Sequence, residues 1–599
     1  MTNSGQIFFC KKLNKILENF VWYFPTQIKF IKMTTAIIKE TGATSTAKYK
    51  KFLDRTGFDE KPYQVECFGW CLAREQTQAQ QTQAQQTQAQ QPAQQDPEEK
   101  KGGILALEMG LGKTIIMLAL IEANIKQTLI VLPRSLLDQW EENIQKTFGH
   151  NPLVYHGSRP KSQQLSLAEV AKRPIVLTTY GQLAISIKPK KKQKKKSILH
   201  SIKWARIICD EAHNVSHHKT AVFNGIISLR FTICWLVTGT PIQNNVKEIY
   251  NLFCLLGVSV PIPRKNEDTD YYLGSLPIEK YVFQGTKAGV GLIIAPIYEH
   301  TETLQWANDT EQALAVHIHS LVPLCNMPIQ DELAQSIFDS EDPRSTRMKY
   351  LARARQICTY PPMVGGPTAS HAPHDGQGGE TEDEYSETDD EIDNEAEASE
   401  AEASEAEASE AAECASAGKV DAVMKTIEER QLNGNGKIIF CHYYEEIDAF
   451  EKRLLTLGLT VAKFDGRVPN GQRSKILNEP VDILLAQIKM CREGLNLQVN
   501  YNEVYFPSPH WNPAVEAQAI ARCWRIGQKK PVYVFRYLMG VPQGVPPPHD
   551  GMGGVPAEPF SSEVYIPTPL SIDEYTEKIQ QRKKDIIEGL QIHAQIWAQ

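Results

Sequence analysis

The sequence predicts an α/β fold made of two parallel-sheet lobes, on three observations. Short unbroken apolar runs alternate with helical patterns through residues 51–255. The same alternation returns through 417–540. The stretches around them are helical, charged or repetitive. Unbroken apolar strands fit a parallel sheet, because crossover helices cover both of its faces.

In the first lobe (51–255) the strand candidates are Thr128–Leu132, Ile175–Thr178, Ala205–Cys209 and Cys234–Val237. In the second (417–540) they are Lys437–Phe440, Val481–Leu485, Glu503–Phe506 and Val532–Phe535. A mostly helical insertion or linker is expected over 256–365 and a closing helix over 570–599. The Pro/Gly-rich run 541–569 reads as a loop. Tandem Gln-Thr-Gln-Ala-Gln in the insertion 76–95 and tandem Glu-Ala-Glu-Ala-Ser inside 366–416 are low-complexity sequences, expected to be solvated and disordered. The N-terminal extension 1–50 is apolar in patches, but Lys11, Lys12, Lys15 and Glu18 interrupt it and no small-residue cleavage site follows. A docking amphipathic segment is expected there, not a secretory signal. No run approaches 18 uncharged apolar residues, so no membrane partner is expected.

The net charge of −7 conceals an uneven distribution. Residues 366–418 hold 18 of the 71 acidic residues and no Lys or Arg, which leaves 53 acids against 64 bases and about +11 elsewhere. Such a basic body permits contact with phosphate backbones, and the acidic segment could meet histones or other basic proteins. Lys188 to Lys196 carries seven lysines in nine residues, which fits a nuclear import signal, a phosphate-contacting loop or a plain solvated run. The 12 cysteines include no Cys-x-x-Cys pair, so neither a zinc module nor a disulfide framework is indicated.

Chemistry is concentrated in four places. The apolar run Ile104–Leu107 enters Glu108-Met109-Gly110-Leu111-Gly112-Lys113-Thr114 and then an apolar helix. Glycines let backbone N–H groups close on phosphate oxygens at a helix N-terminus. Lys113 would reach the β- and γ-phosphates, and Thr114 would offer its hydroxyl to Mg²⁺. Asp210-Glu211-Ala212-His213 ends another apolar strand. There Asp210 can hold Mg²⁺ through water, and Glu211 can orient and deprotonate an attacking water. Thr238-Gly239-Thr240 begins a polar turn that could couple this site to a bound strand. In the second lobe Arg522 and Arg525 are spaced to share one helical face, from which arginines can neutralise charge on a γ-phosphate across a cleft.

This set resembles the Snf2-type (Swi/Snf) ATPases of helicase superfamily 2, the DNA-translocating motors of chromatin remodelling and repair. Further matches run in the family's order: Lys61-Pro62-Tyr63-Gln64; Leu129-Ile130-Val131-Leu132-Pro133 with Gln139-Trp140; Arg355-Gln356-Ile357-Cys358; Phe464-Asp465-Gly466; Glu493-Gly494-Leu495-Asn496-Leu497; and Trp511-Asn512-Pro513. The resemblance implies two RecA-like lobes that use ATP and Mg²⁺ and track along double-stranded DNA in the nucleus. It implies that Gln64 reads adenine and that Leu107 to Thr114 cradle the nucleotide. Lys113, Asp210, Glu211, Arg522 and Arg525 would perform hydrolysis. Thr178, Thr179, Thr238, Gly239, Thr240 and Trp511 would lie near DNA or couple to it. The sequence departs from the family where Leu107 stands for the usual Asp, where Val215-Ser216-His217 follows the acidic box, and where Lys489-Met490-Cys491-Arg492 precedes Glu493. A strand-separating helicase and a non-hydrolysing nucleic-acid scaffold remain open alternatives at this level.

Overall fold

Alternate residues of the strand Lys101–Leu107 (β1) enter different cores: Ile104 and Ala106 one, Leu105 and Leu107 the other. That alternation follows from the pleat, which turns successive side chains to opposite faces. It means β1 is covered on both sides. Around it lie β2 (Thr128–Leu132), β3 (Leu153–Tyr155), β4 (Ile175–Thr179), β5 (Lys203–Asp210), β6 (Arg230–Val237) and β7 (Val282–Gly285). They form a parallel sheet in the order β3-β4-β2-β5-β6-β1-β7.

The second lobe repeats the design. The strands β8 (Ile297–Leu304), β9 (Lys437–Cys441), β10 (Val461–Phe464), β11 (Ile483–Gln487), β12 (Glu503–Phe506) and β13 (Val532–Met539) pair in parallel in the order β10-β11-β9-β12-β13-β8. Ile438 and Phe440 pack on one face, Ile439 and Cys441 on the other. The chain is thus α/β, with two doubly covered parallel sheets. Each fully buried Leu, Ile or Phe in them contributes roughly 1.5–3 kcal/mol.

This computed structural model describes residues 45–76, 101–157, 165–185, 197–264, 268–291, 294–316 apart from 307, 310 and 314, 352–365, 418–479, 481–491, 495–540 and 571–595. The extension before 45, the Gln-rich insertion beyond Gln76, Lys188 to Lys196, the acidic segment 366–416, Glu493-Gly494 and the loop 541–569 lie outside those residues. No helix among the described residues is long and apolar enough to cross a membrane.

The stretch 256–365, expected to be mostly helical, also supplies one strand to each sheet. β7 lies beside β1, with Leu107 opposite Gly285, and β8 pairs along the whole of β13. A Cβ at Gly285 would come within 2.9 Å of Leu107 Cδ2, so glycine permits that close approach. The strands bracket the crossing between lobes. The helix Ile572–Gln595 crosses as well. Near its start Asp573 accepts from the Met539 N–H at 2.9 Å and pairs with Lys419. Leu590 enters the core of the first lobe.

The helix Pro62–Gln76, which carries Gln64, is anchored by a buried ion pair. Arg206 Nε and Nη2 donate to the two oxygens of Glu75 at 2.7 and 2.6 Å, and Trp235 Nε1 donates to Glu75 Oε1 at 2.9 Å. Both charged groups are buried, so removing one strands the other. Glu75→Ala is expected to lower stability by about 3–5 kcal/mol in equilibrium denaturation. A loss below about 1 kcal/mol, the range of exposed pairs, would show that the pair does not hold this helix.

Candidate nucleotide site between the lobes

The carboxyl ends of the parallel strands deliver the site, as is usual for open α/β sheets. β1 ends at Leu107. A turn follows, and the helix Lys113–Ala123 begins with Gly112 as its cap. Gly110 and Gly112 adopt φ of 87° and 81°, the left-handed region that glycine enters without a steric penalty. A Cβ on Gly112 would also lie 2.3 Å from Gln64 Nε2. Gln64 Nε2 donates to the Leu111 carbonyl at 3.0 Å, Tyr63 Oη donates to the same oxygen at 3.2 Å, and Tyr49 Oη donates to Gln64 Oε1 at 3.1 Å. Gln64 Nε2 therefore braces the loop in this structure, while Tyr49 occupies Gln64 Oε1. Lys113 Nζ folds back on the Leu107 carbonyl at 3.0 Å, and Thr114 is half-buried at the cavity wall.

Two members of the expected nucleotide set turn their side chains away from the cavity. Leu107 and Leu111 are fully buried in the apolar core, and only their backbone faces the turn. At 107, where the resembling family has Asp, the leucine packs under Gly285. Glu108 and Met109 stay half-buried at the loop.

β5 ends at Asp210, and Glu211 follows at φ 50°, the one non-glycine residue with positive φ among those described. Such strain, of order 1–3 kcal/mol, persists where surrounding structure enforces it. Glu211 Oε2 is buried without a hydrogen-bond partner, and His213 Nδ1 lies 3.5 Å away. Glu211 nonetheless lines the cavity, where its carboxylate suits a water awaiting deprotonation. Asp210 Oδ2 accepts from Trp140 Nε1 at 2.8 Å, Oδ1 accepts from the Glu211 N–H at 3.0 Å, and Tyr180 Oη donates to the Asp210 carbonyl at 2.5 Å. Burial, and then the neighbouring Glu211 charge, push the Asp210 carboxyl up to about 7, against the pull of Lys113 and Trp140. Among the described residues no cluster of three His, Cys, Asp or Glu could hold a metal unaided. The donors fit Mg²⁺ shared with phosphate oxygens: the Thr114 hydroxyl and Asp210, directly or through water.

The helix Pro513–Cys523 brings in Arg522, buried at its last turn. The two arginines do not share one helical face as their spacing suggested. The helix stops at Cys523, because the Trp524 indole donates to the Ala295 carbonyl at 2.8 Å and its backbone leaves helical geometry. Arg525 lies beyond, with Nη1 donating to Asn496 Oδ1 at 2.5 Å, and burial lowers its pKa. Both arginines nonetheless line the same cavity of about 250 Å³ as Gly110, Lys113, Thr114, Trp140, Asp210 and Glu211. A separate cavity of about 300 Å³ opens near Lys437 and Asp482, at the other end of the second sheet's strands.

Sequence reasoning missed Lys287. It follows β7 and is 3% exposed. Its N–H donates to Glu108 Oε2 at 2.7 Å, and its ammonium meets Glu108 Oε1 at 3.1 Å and the Trp524 carbonyl at 3.0 Å. Burial lowers its pKa, with Glu108 opposing and Arg525 and Lys113 adding repulsion. Its only local signal was a lysine four residues after the apolar pair Val282-Phe283.

The residues expected to couple to DNA divide into two groups. Thr178 and Thr179 are buried at the end of β4, with Thr178 Oγ1 donating to the Tyr155 carbonyl at 2.9 Å and Thr179 Oγ1 lying 3.2 Å from His156 Nδ1. Trp511 stacks edge-on against Tyr575 of the closing helix. The Thr238-Gly239-Thr240 turn lies against Lys113 and His213. A Cβ on Gly239 would lie 3.4 Å from Lys113 Nζ, and Thr238 Oγ1 is 3.4 Å from His213 Nδ1 and accepts the Thr240 N–H at 3.1 Å. Gln243 Nε2 donates to Thr240 Oγ1 at 3.1 Å, and Asn512 Nδ2 of the other lobe donates to Gln243 Oε1 at 3.1 Å. A polar relay thus runs from His213 to the second lobe.

Comparison with known proteins agrees with this division into lobes. The SNF2-related domain family matches residues 63–264, and the helicase conserved C-terminal domain matches 418–527. The DNA repair protein RAD5B of Arabidopsis thaliana is 26% identical, covering 73% of this chain and 44% of its own. A probable global transactivator of Orgyia pseudotsugata multicapsid polyhedrosis virus is also 26% identical, covering 73% of this chain and 82% of its own. The chain spans 16–54% of the length of the first curated relatives it matches. Among solved structures, the SWI2/SNF2 ATPase core of Sulfolobus solfataricus in complex with dsDNA is 20% identical over 81% of this chain and 88% of that one, with a TM-score of 0.33.

The raised Asp210 pKa has a stability consequence. An unfolded Asp titrates near 3.9, so between about pH 4 and 7 the folded protein holds a proton that the unfolded chain has lost. Stability therefore falls as pH rises through that window, in the absence of Mg²⁺. Asp210→Asn removes the buried charge and is expected to raise the thermal midpoint more at pH 8 than at pH 5. Equal shifts at the two pH values would locate the burial penalty elsewhere.

Proposed function

The chain belongs to the Snf2-type ATPases of helicase superfamily 2, and from that premise we propose that it hydrolyses MgATP to move along double-stranded DNA. One observation carries the reading: a single cavity is lined by the glycine loop, Lys113, Asp210 and Glu211 from one lobe and by Arg522 and Arg525 from the other. A site split between lobes makes turnover depend on their closure, so each hydrolysis can drive a relative movement. The relay from His213 through Thr238, Thr240 and Gln243 to Asn512 supports transmission between the lobes.

The chemistry follows from the residues. Lys113 and the backbone at Gly110 to Gly112 hold the phosphates, with Gln64 bracing the loop beside the adenine it would read. The Glu211 carboxylate takes a proton from the attacking water. An O–P bond forms at the γ-phosphorus as the bond to the β-bridging oxygen breaks, giving ADP and phosphate. Arg522 and Arg525 neutralise charge on the departing and transferring oxygens. Thr114 and Asp210 would hold Mg²⁺, which would supply positive charge against the phosphates.

Duplex DNA is the partner in this reading, and relatives named for DNA repair support it. The nucleus is the compartment. Histones or other basic proteins are the partners assigned to the acidic segment 366–416, which lies outside the described residues. ATP hydrolysis measured without nucleic acid, with single-stranded DNA, with duplex DNA and with RNA tests the proposal. Duplex DNA is expected to stimulate most, and Lys113→Ala to lower the rate by about a hundredfold or more, the scale on which losing one phosphate-stabilising group acts. Unchanged hydrolysis in Lys113→Ala would remove the site assignment. ATP-driven strand displacement would make the protein a helicase in the strict sense.

A further inference from the structure

We propose that Lys287 is the positioning residue that ties the arginine segment of the second lobe to the phosphate loop of the first, an inference that rests on the ATPase reading above. Glu108 belongs to the loop itself. It grips Lys287 twice, through the backbone N–H at 2.7 Å and the ammonium at 3.1 Å. The same ammonium donates to the Trp524 carbonyl at 3.0 Å and sits over the Trp524 ring, 4.3 Å from its centroid. Trp524 stands between Arg522 and Arg525, so fixing its backbone and ring fixes the origin of both guanidinium groups.

The segment that carries Lys287 explains the arrangement. It runs from β7, in the first sheet, to β8, in the second. It pins Trp524 at two points, by Lys287 near its start and by the Ala295 carbonyl near its end, at 2.8 Å from the indole nitrogen. The crossing between lobes and the clamp on the arginine segment are therefore one piece of chain. A Cβ placed on Gly110 would lie 3.6 Å from Arg525 Cβ and 4.0 Å from Lys287 Cε, so the tie closes directly over the loop's glycine.

Charge gives the tie a dependence on nucleotide. The ammonium is almost wholly buried, has one carboxylate partner, and is surrounded by the cations Lys113 and Arg525. A triphosphate in the loop would add negative charge beside all three cations and relieve the repulsion among them, which steadies the ammonium between Glu108 and Trp524. Binding in one lobe then strengthens the bond to the other, which is coupling between the loop and the arginine segment. The role differs from phosphate binding in that two of the three ammonium donors of Lys287 are taken by Glu108 and the Trp524 carbonyl.

Lys287→Met keeps the stem on the Trp524 ring and removes the charge, while Lys287→Arg keeps a cationic donor. The expected result for Lys287→Met is a fall in kcat for duplex-stimulated ATP hydrolysis of about tenfold to a hundredfold, the scale of a misplaced catalytic group, with KM for ATP moving less than about threefold. Lys287→Arg is expected to recover most of kcat. Backbone hydrogen exchange in 520–528 is expected to quicken in nucleotide-free Lys287→Met. A rise in KM with kcat retained would make Lys287 a phosphate ligand and overturn the proposal. Unchanged kcat, or a loss of kcat with exchange unaltered in 520–528, would overturn it equally. Exchange needs no turnover, so a wild type that hydrolyses no ATP would remove the proposed function and leave exchange to decide this inference.

Discussion

Positive charge collected in a largely buried cleft is the constraint around which this molecule is organised. Lys113 and Lys287 come from the first lobe, Arg522 and Arg525 from the second, and three of the four are less than one-tenth exposed. Glu108 pairs directly with Lys287, while Asp210 and Glu211 stand at the end of β5. Buried cations in low dielectric are costly unless paired. A polyanionic triphosphate offsets that cost, and no single lobe contains all four cations. In the proposed function, nucleotide affinity and the approach of the two lobes therefore share an electrostatic origin.

The fold supplies this cleft by duplicating one solution. Each lobe is a parallel sheet covered on both faces, and each presents the carboxyl ends of its strands to the other. Three features keep the two ends facing each other. The crossing segment gives β7 to one sheet and β8 to the other. The closing helix Ile572–Gln595 fastens on the second lobe through Asp573 and Gln580 and buries Leu590 in the first. The polar relay from His213 to Asn512 joins the Asp210–His213 turn to the second lobe through hydrogen bonds of 3.1–3.4 Å.

What the sequence revealed and what it hid follow one physical division. Gly110 to Thr114 and Asp210 to His213 were legible because strand, turn and helix signals are local. The strands flanking them were legible because two-sided burial writes an unbroken apolar run. β7, β8 and Lys287 were not legible, since parallel pairing with residues more than 170 positions away leaves no local period. The helical reading of Arg522 and Arg525 failed for a related reason. The helix ends at Cys523 because the Trp524 ring is held by Ala295 and Lys287, both distant in sequence. Leu107 shows the converse case: its departure from the family's usual Asp is explained by packing under Gly285, which requires β7 in place.

The most direct test of a site assembled from both lobes is the structure of the protein with MgADP and an aluminium fluoride mimic of the transferring phosphate. Two-lobe assembly predicts that the guanidinium groups of Arg522 and Arg525 both lie within about 3 Å of the mimic's fluorines, together with Lys113. It also predicts that Lys287 still bridges Glu108 and Trp524. A mimic held by Lys113 and the first lobe alone, with both arginines turned away, would contradict it.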